Sequence, residues 1–204
     1  MPNKTPQQSI EDRTKSAYRA VSGDVDGDVS FSGGQTSLTS GATRLIRKNK
    51  RMTARLPSPI ESQSLETQPH LRGAADGIAL YRKHHDDALT SGINTTEGQA
   101  LFNVLEQVRC EALGARKMDG VGQNLSAALE SACQKKKYDG SVDIPIEDSL
   151  YALAFEQLSN QKLARTATHT ANQVRQQIES KLGIDGFKAM ESVLGDQGAF
   201  TRAS

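Results

Sequence analysis

The sequence has no tryptophan, and aromatic residues make up only 4% of its 204 residues. A buried core must therefore be built from Leu, Val, Ile and Ala, which favours packed helices over sheets. Cysteine is also scarce, with Cys110 and Cys133 as the only two. Both lie within helical patterns, and their spacing is not that of a zinc site. This usage is typical of reduced, buried thiols in a cytoplasmic protein.

The sequence also lacks an excess of charge of one sign and long apolar runs. The formal net charge is +1, whereas a nucleic-acid-binding domain usually carries a marked basic excess, so nucleic acid is not expected as a partner. No segment reaches the about 18 apolar residues of a membrane span, and residues 1–6 lack the apolar region of a signal peptide. We expect a soluble, cytoplasmic protein with no membrane partner.

Apolar residues recur mostly at helical spacing, which predicts a mainly α fold. We expect a multi-helix domain with a small β-hairpin or edge strands near residues 28–56. Residues 1–66 would hold an N-terminal helix, short strands and a basic flexible loop, and residues 67–204 a helical domain packed with them as one unit. The first helix is expected to begin with a cap at Ser9 and Asp12 and to end at Gly23. Later apolar stripes begin at Leu71, Leu101, Val121, Ile146, Ala167 and Phe187.

Residues 94–130 hold the strongest amphipathic helix. Asn94 and Glu97 can form a reciprocal N-terminal cap, and apolar residues then line one face. These residues are Leu101, Leu105, Val108 and Ala112. Gly114 suits a left-handed C-terminal cap, after which a short turn leads into the next helix, so the two should form an antiparallel pair.

A charged residue interrupts the apolar face of this helix. Arg109 falls inside the apolar sector and Glu111 at its edge, and a buried cation is costly unless a carboxylate pairs with it. The partner would be Glu106, one turn back, or an acid from a neighbouring helix. The pair is either a core ion pair that sets helix register or a general acid or base in a cleft. Because the pattern pairs it with no nucleophile, we favour the ion pair and assign no catalytic residue.

The residues that we assign to this structural ion pair or to a partner contact are Glu106, Arg109, Glu111, Arg116 and Asn124. A hydrolase using Glu106 and Glu111 is a weaker alternative. The two are five positions apart, about 140° around a helix, and so do not face one site.

Two motifs near the N-terminus imitate cation sites. Asp24, Asp26 and Asp28 resemble the opening of a calcium loop, but Val29 and Gln35 stand where that loop needs Gly and Glu. The string Asp28-Val-Ser30-Phe-Ser32 matches D-x-S-x-S, the magnesium-binding signature of integrin-type inserted domains, but no buried strand precedes it. We instead predict a short edge strand with Val29 and Phe31 on one side and a turn at Gly33-Gly34.

The string His84-His85-Asp86-Asp87 also resembles a metal cluster. The next predicted helix runs from Thr67 and Pro69 to Ala88, and on it only His84 and Asp87 could share a ligand face. His85 falls on the apolar stripe, where a hydrogen-bonded core histidine is the commoner case. We assign no metal site.

Residues 44–55 contain six basic residues and no acid. They are Arg44, Arg47, Lys48, Lys50, Arg51 and Arg55. This run is either a patch for an acidic partner or nucleic acid, or a solvated flexible loop, and we favour the loop. If it is a contact, a protein partner is favoured, because no aromatic residues are interleaved for base stacking.

The central helices and several flanking segments share residues with one known family. The central residues are Glu106-Gln107-Val108-Arg109, Glu111-Ala112-Leu113-Gly114, Arg116, Met118, Gly120-Val121 and Asn124-Leu125. The flanking ones are Ala20-Val21-Ser22-Gly23-Asp24, Arg55-Leu56-Pro57, Pro145-Ile146-Glu147-Asp148-Ser149-Leu150, and Asp196-Gln197 with Ala199-Phe200. In this order they resemble the N-terminal region of the CobT subunit of aerobic cobaltochelatase, and they span most of the chain.

The resemblance implies a cytoplasmic complex that uses ATP to insert cobalt into hydrogenobyrinic acid a,c-diamide during cobalamin biosynthesis. In that family CobT pairs with the ring-forming AAA+ ATPase CobS and serves the large subunit CobN, which holds the corrin. The complex uses ATP, Mg and Co. This chain has no Gly-x-x-x-x-Gly-Lys-Ser/Thr phosphate loop, so ATP hydrolysis is expected in CobS, and we expect no cofactor on this chain.

In the family, an acidic linker and a magnesium-binding inserted domain follow the N-terminal region. Neither follows residue 204 here, so we expect either a piece of a longer protein or a reduced relative. The resemblance thus predicts an assembly and interaction domain of a cobaltochelatase. The alternative is a stand-alone helical adaptor that serves another AAA+ ATPase.

Overall fold

The computed structural model describes residues 5–31, 45–48, 51–59, 69–89, 92–183 and 185–204. In these residues the fold is mainly helical with a small sheet, which confirms the predicted fold class. The first elements are α1 (Pro6–Ser22), β1 (Asp28–Phe31), β2 (Leu45–Lys48), β3 (Arg51–Leu56) and α2 (Pro69–His84). They are followed by α3 (Thr96–Ala115), α4 (Asp119–Lys135), α5 (Ile146–Ser159), α6 (Arg165–Leu182), α7 (Gly186–Ser192) and α8 (Gln197–Ala203).

The sheet has three strands in the order β1-β3-β2, with β1 parallel and β2 antiparallel to β3. The predicted edge strand is β1, where Val29 is buried and Phe31 is half-buried. Val29 pairs with Ala54, and Leu56 two residues later is also buried, so one face of the sheet contributes to the core. The predicted turn at Gly33-Gly34 lies outside the described residues.

The basic run predicted as a flexible loop is largely strand. Arg47 and Lys48 belong to β2, and Arg51 and Arg55 to β3, where Arg55 is exposed. Arg44 and Lys50 lie outside the described residues. The loop prediction is wrong for these residues because it rested on composition, whereas the predicted β-hairpin or edge strands near residues 28–56 include them. Strands β2 and β3 are antiparallel, with Lys48 opposite Arg51, and β3 also pairs with β1.

Helix α1 begins earlier than Ser9, the predicted cap. Thr5 is the cap: its Oγ1 accepts from the Gln8 N–H at 3.3 Å, and Gln8 Oε1 accepts from the Thr5 N–H at 3.0 Å. Pro6 occupies the first turn, where its missing N–H costs nothing. The predicted end is confirmed, since Gly23 closes the helix in the left-handed conformation with φ of 73°.

Helix α3 is capped by Thr95 and not by Asn94. The hydroxyl of Thr95 accepts from the Gly98 N–H at 3.2 Å, and the helix begins at the next residue. Both side chains can cap a helix, so sequence preference alone does not choose between adjacent candidates.

Two predicted helix ends are also corrected. Gly114 lies inside α3 and is not a left-handed cap, because the helix continues to Ala115. A Cβ at Gly114 would lie 2.3 Å from Leu80 Cδ2, so the glycine is required for the close approach of α2. Helix α2 ends at His84 and does not reach Ala88.

The core forms where α3 lies between α2 and α5. Helix α2 packs on α1, α3 and α4, and α5 packs on α3 and α6. Every residue from 104 to 112 is buried, so α3 is enclosed on all sides and not only along its apolar face. The charged residues of this segment are therefore internal. The predicted helices after Pro145, over Ala167 to Leu182 and after Asp185 are present as α5, α6 and α7.

Candidate functional site

A buried ion pair lies at the middle of α3. Arg109 Nε donates to Glu106 Oε2 at 2.7 Å, and Arg109 Nη2 donates to Glu106 Oε1 at 2.8 Å. The two side chains are only 2% and 1% exposed. Of the two kinds of partner that the sequence left open, the structure places the acid one turn back against Arg109. The planar guanidinium matches the carboxylate with two parallel hydrogen bonds, which is the strongest arrangement for such a pair.

The remaining donors of Arg109 reach the ends of two other helices. Nη2 donates to the carbonyl oxygen of His84 at 2.7 Å, at the last residue of α2. Nη1 donates to the carbonyl oxygen of Leu194 at 3.0 Å, just after α7. Helix ends carry carbonyls without helical partners, and a cation compensates both their hydrogen bonding and the helix dipole. Arg109 therefore joins α2, α3 and the C-terminal segment.

His85 and Gln197 complete this junction. His85 Nδ1 lies 2.8 Å from Glu106 Oε1, and its ring stacks on Tyr81 with centroids 4.4 Å apart. Because a carboxylate only accepts, Nδ1 carries the proton of this hydrogen bond. Gln197 in α8 accepts from the Asp86 N–H at 2.9 Å and donates to the Asp86 carbonyl at 3.0 Å. We call Glu106, Arg109, His85 and Gln197 the polar junction.

The electrostatics of the polar junction favour the charged forms of the pair. Burial alone would raise the pKa of Glu106, but hydrogen bonds from Arg109 and His85 outweigh it and lower that pKa. Burial likewise opposes the charge of Arg109, but the hydrogen bond to Glu106 raises its pKa. The neighbouring thiol of Cys110 has a pKa raised well above its ordinary value, chiefly by burial and then by the charge of Glu106.

Glu111 is a second buried acid on α3, and its surroundings differ. Tyr151 in α5 donates its hydroxyl to Glu111 Oε2 at 2.6 Å, and Gln107 Nε2 donates to Oε1 at 3.0 Å. Burial raises the pKa of Glu111 to about 7, although both hydrogen bonds act in the opposite direction. Glu111 and Glu106 do not share a site, since they contact different helices.

Arg116 and Asn124 make separate contacts. Arg116 Nε donates to the carbonyl of Leu158 at 2.6 Å, and its Nη2 donates to Glu191 at 2.6 Å. Asn124 Nδ2 donates to Asp76 Oδ2 at 2.8 Å. Arg116 thus ties α3 to α5 and α7, and Asn124 ties α4 to α2.

A family model described as cobalamin biosynthesis protein CobT matches residues 4–204 of the chain. The chain belongs to the CobT family. Its role therefore lies in cobalamin biosynthesis. No solved structure matches the chain. Within the described ranges, no helix of this CobT-family chain is both long enough and apolar enough to cross a membrane.

The structure of this CobT-family chain divides the five predicted residues among four places. Glu106 and Arg109 meet in the polar junction, and Glu111 faces α5. Arg116 contacts α5 and α7, and Asn124 contacts α2. Sequence reasoning missed Gln197, Tyr151 and Asp76. Asp76 lies five positions after Leu71, about 140° around α2, so it falls outside the apolar stripe of that helix and the spacing gives no signal for it. Gln197 lies within a segment that resembles CobT, but nothing in its spacing indicates Asp86 as its partner.

The histidine and aspartate string does not form the ligand face considered from the sequence. Helix α2 ends at His84, so His84 and Asp87 do not lie on one helix, and His85 is held by Glu106 and Tyr81. Burial, and then Lys83 and Lys117, lower the pKa of His84 to about 4. Among the residues with a described placement, no group of three or more His, Cys, Asp or Glu could hold a metal ion.

The arrangement in this CobT-family chain is suited to holding helices together. The carboxylate and the guanidinium of the polar junction satisfy one another and the ends of two helices, with both side chains almost fully buried. Removal of one member of such a pair strongly destabilises the protein. While both members are present their charges compensate one another, so the pair adds little reactivity. The neighbouring thiol of Cys110 stays protonated at neutral pH, which makes it a poor nucleophile.

Proposed function

We propose that this CobT-family chain is a subunit, or part of a subunit, of the ATP-dependent aerobic cobaltochelatase. That complex inserts cobalt into hydrogenobyrinic acid a,c-diamide, and this part of it serves as an assembly and interaction domain. The observation that carries the proposal is the family match over residues 4–204, which covers every element of the fold.

The geometry supports a scaffold over a catalyst. Glu106 is engaged by Arg109 and His85, and Glu111 by Tyr151 and Gln107, each acid being 1–2% exposed. A general acid or base must come within hydrogen-bonding distance of its substrate, and neither carboxylate is open to solvent. The polar junction instead fixes the ends of α2 and α7 on α3, which keeps a multi-helix surface in one shape for a partner.

The proposed partners are a ring-forming AAA+ ATPase resembling CobS and a large corrin-holding subunit resembling CobN. ATP and magnesium would be used by the ring, and cobalt is the substrate of the assembled complex. This division of labour assigns no nucleotide, metal or corrin to the present chain. Rigid interaction domains bind with little loss of conformational entropy, which favours a preorganised helical scaffold in this role.

The test is reconstitution of residues 1–204 with the ring ATPase and the large subunit. We expect the chain to co-elute with the ring on size exclusion and to compete with full-length CobT for the ring in ATP-dependent cobalt insertion. The isolated chain should show no ATP hydrolysis. A variant that fails to fold, such as Gly73→Leu, should lose both binding and competition and serves as the negative control.

Three outcomes would overturn the proposal. Failure of the folded chain to bind either partner would remove the interaction role. Binding to a different AAA+ ATPase, with none to the chelatase ring, would select the stand-alone adaptor. Turnover of any substrate by the isolated chain would contradict the scaffold role altogether.

A further inference from the structure

Glu111 is a buried carboxyl group whose hydrogen-bond partners are neutral. The residue is 2% exposed, and its two oxygens face the Tyr151 hydroxyl at 2.6 Å and the Gln107 amide nitrogen at 3.0 Å. Within the described ranges, no Lys, Arg or His forms an ion pair with it. An ionised carboxylate in such a position loses its hydration and gains no opposite charge in return.

Each helix around Glu111 presents an uncharged group to it. Helix α2 presents Gly77, where a Cβ would lie 2.9 Å from Glu111 Oε1 and 3.5 Å from Leu125 Cδ2 of α4. Helix α5 presents Tyr151, and α3 itself presents Gln107 and Cys110. Tyr151 and Cys110 are the titratable groups of this set, and burial raises the pKa of both. Neither can supply a positive charge.

Glu106 on the same helix is the internal comparison. It is buried to the same degree, but it accepts two hydrogen bonds from Arg109 and one from His85. The two acids therefore differ in their partners and not in their burial. The surroundings of Glu106 therefore favour its ionised form, and those of Glu111 favour its protonated form, although both acids lie on the same helix.

We propose that Glu111, Gln107 and Tyr151 form a proton-dependent joint that holds α5 against α3 most firmly when Glu111 is protonated. In the protonated state the group is neutral, and its carbonyl oxygen can still accept the hydrogen bond that Tyr151 donates. When the proton leaves to solvent, a charge without a counterion remains where α2, α3, α4 and α5 meet. The charge is relieved by admitting water, which requires α5 to loosen from α3.

The first test compares the pH dependence of unfolding in the wild-type chain and in Glu111→Gln. Glutamine keeps the size of the side chain and cannot ionise. Because Glu111 is more readily protonated in the folded state, raising the pH should destabilise the wild type relative to the variant. The folding equilibrium constant of the wild type, relative to that of the variant, should fall on the order of a hundredfold as pH rises from about 5 to about 7 and then level off. The matched control is Glu156→Gln, which removes a half-buried acid of α5 that pairs with Arg175; it should keep the wild-type profile. Parallel profiles for wild type and Glu111→Gln would overturn the proposal.

A second test does not depend on the folding of the variant. The ¹³C resonances of the glutamate side-chain carboxyls are followed by NMR in the wild-type chain across the same pH range. One resonance should titrate near neutral pH, and amide hydrogen exchange in α5 should accelerate in step with it, beyond the intrinsic effect of pH. If every glutamate titrates near its ordinary value, or if α5 protection does not change with that titration, the joint does not exist.

Discussion

The side-chain amide of Gln197 pairs with both backbone polar groups of Asp86, which lies 111 residues earlier. This reciprocal contact imitates a backbone-to-backbone pairing and seats α8 next to the end of α2. Arg109 contributes a longer hydrogen bond of 3.3 Å to Gln197 Oε1, so the C-terminal segment is attached to the polar junction itself. The last helix is thereby part of the core and not an appendage, as the full burial of Phe200 also indicates.

Replacement of Gln197 by alanine should release α8. Loss of the paired hydrogen bonds is expected to cost about 1–2 kcal/mol and to accelerate amide exchange in α8 more than in α4. Hydrogen exchange followed by mass spectrometry measures both regions at once. Gln173→Ala, on the exposed face of α6, is the matched control and should leave exchange in α8 unchanged. Equal acceleration in all helices would mean that Gln197 does not act locally.

Removal of the Arg109 side chain should be among the most damaging single changes. Arg109→Ala leaves the Glu106 carboxylate buried without its cation and two helix-end carbonyls without their donor, so we expect a loss of about 3 kcal/mol or more. Urea denaturation measures it. The control is Arg165→Ala, whose side chain is 84% exposed and bonds only to exposed Asp139 among the described contacts; it should change stability by less than about 0.5 kcal/mol. A similarly small loss for Arg109→Ala would contradict the buried geometry.

Substitution by alanine should have opposite effects on stability at two glycines in neighbouring helices. At Gly73 a Cβ would lie 2.2 Å from the backbone oxygen of Asn124, so α2 and α4 would have to separate, at about 1–3 kcal/mol. At Gly120 a Cβ meets nothing within 4 Å, and alanine favours the helical conformation, so stability should stay the same or rise by up to about 1 kcal/mol. Thermal unfolding of the two variants distinguishes the cases. Equal effects would show that helix propensity, and not the approach of α2 to α4, decides both.

The polar junction should make stability depend on pH below the ordinary glutamate value of 4.5. The pKa of Glu106 is lowered in the folded protein because the hydrogen bonds from Arg109 and His85 outweigh the effect of burial. A lowered pKa in an acid stabilises the folded state at higher pH, and this contribution disappears as pH falls through the folded value. The free energy of unfolding of the wild type should therefore exceed that of Glu106→Gln by a margin that shrinks as pH decreases from about 5 to about 3. A margin that stays constant over this interval would show that Glu106 is not selectively stabilised as a carboxylate.

Much of the helical architecture could be predicted from local patterns. Apolar residues at steps of three and four identify helices because that spacing depends only on the helix itself. Glycines at positive φ mark the ends of α1 and α6 for the same reason, since Gly23 and Gly183 adopt backbone conformations that other residues avoid. Local patterns do not single out the N-terminal caps, because Thr5 and Thr95 have nearby residues of similar capping chemistry.

Strands and helix contacts could not be predicted in this way. The sheet pairs Asp28 of β1 with Thr53 of β3, 25 positions later, and β3 also pairs with β2 in the same basic run, so pairing between strands and not composition decides that this run becomes strand. The sequence predicts a helix end at Gly114 because glycine commonly occupies that position, yet in the structure this glycine makes room for the side chain of Leu80. Local preference cannot reveal which side chain of another helix approaches a given residue.

By itself the sequence determined that Arg109, a cation among leucines, had to find a partner, because an unpaired charge in a core costs more than a marginally stable protein can lose. Only the tertiary structure decided which groups surround it: Glu106, and the carbonyls of His84 and Leu194. It also decided that Glu111, with neutral neighbours, favours its proton where Glu106 does not. The physical reason is that the energetic cost of burying a charge follows from the residue type alone. The groups that offset this cost lie elsewhere in the sequence, and only folding brings them into contact with the charge.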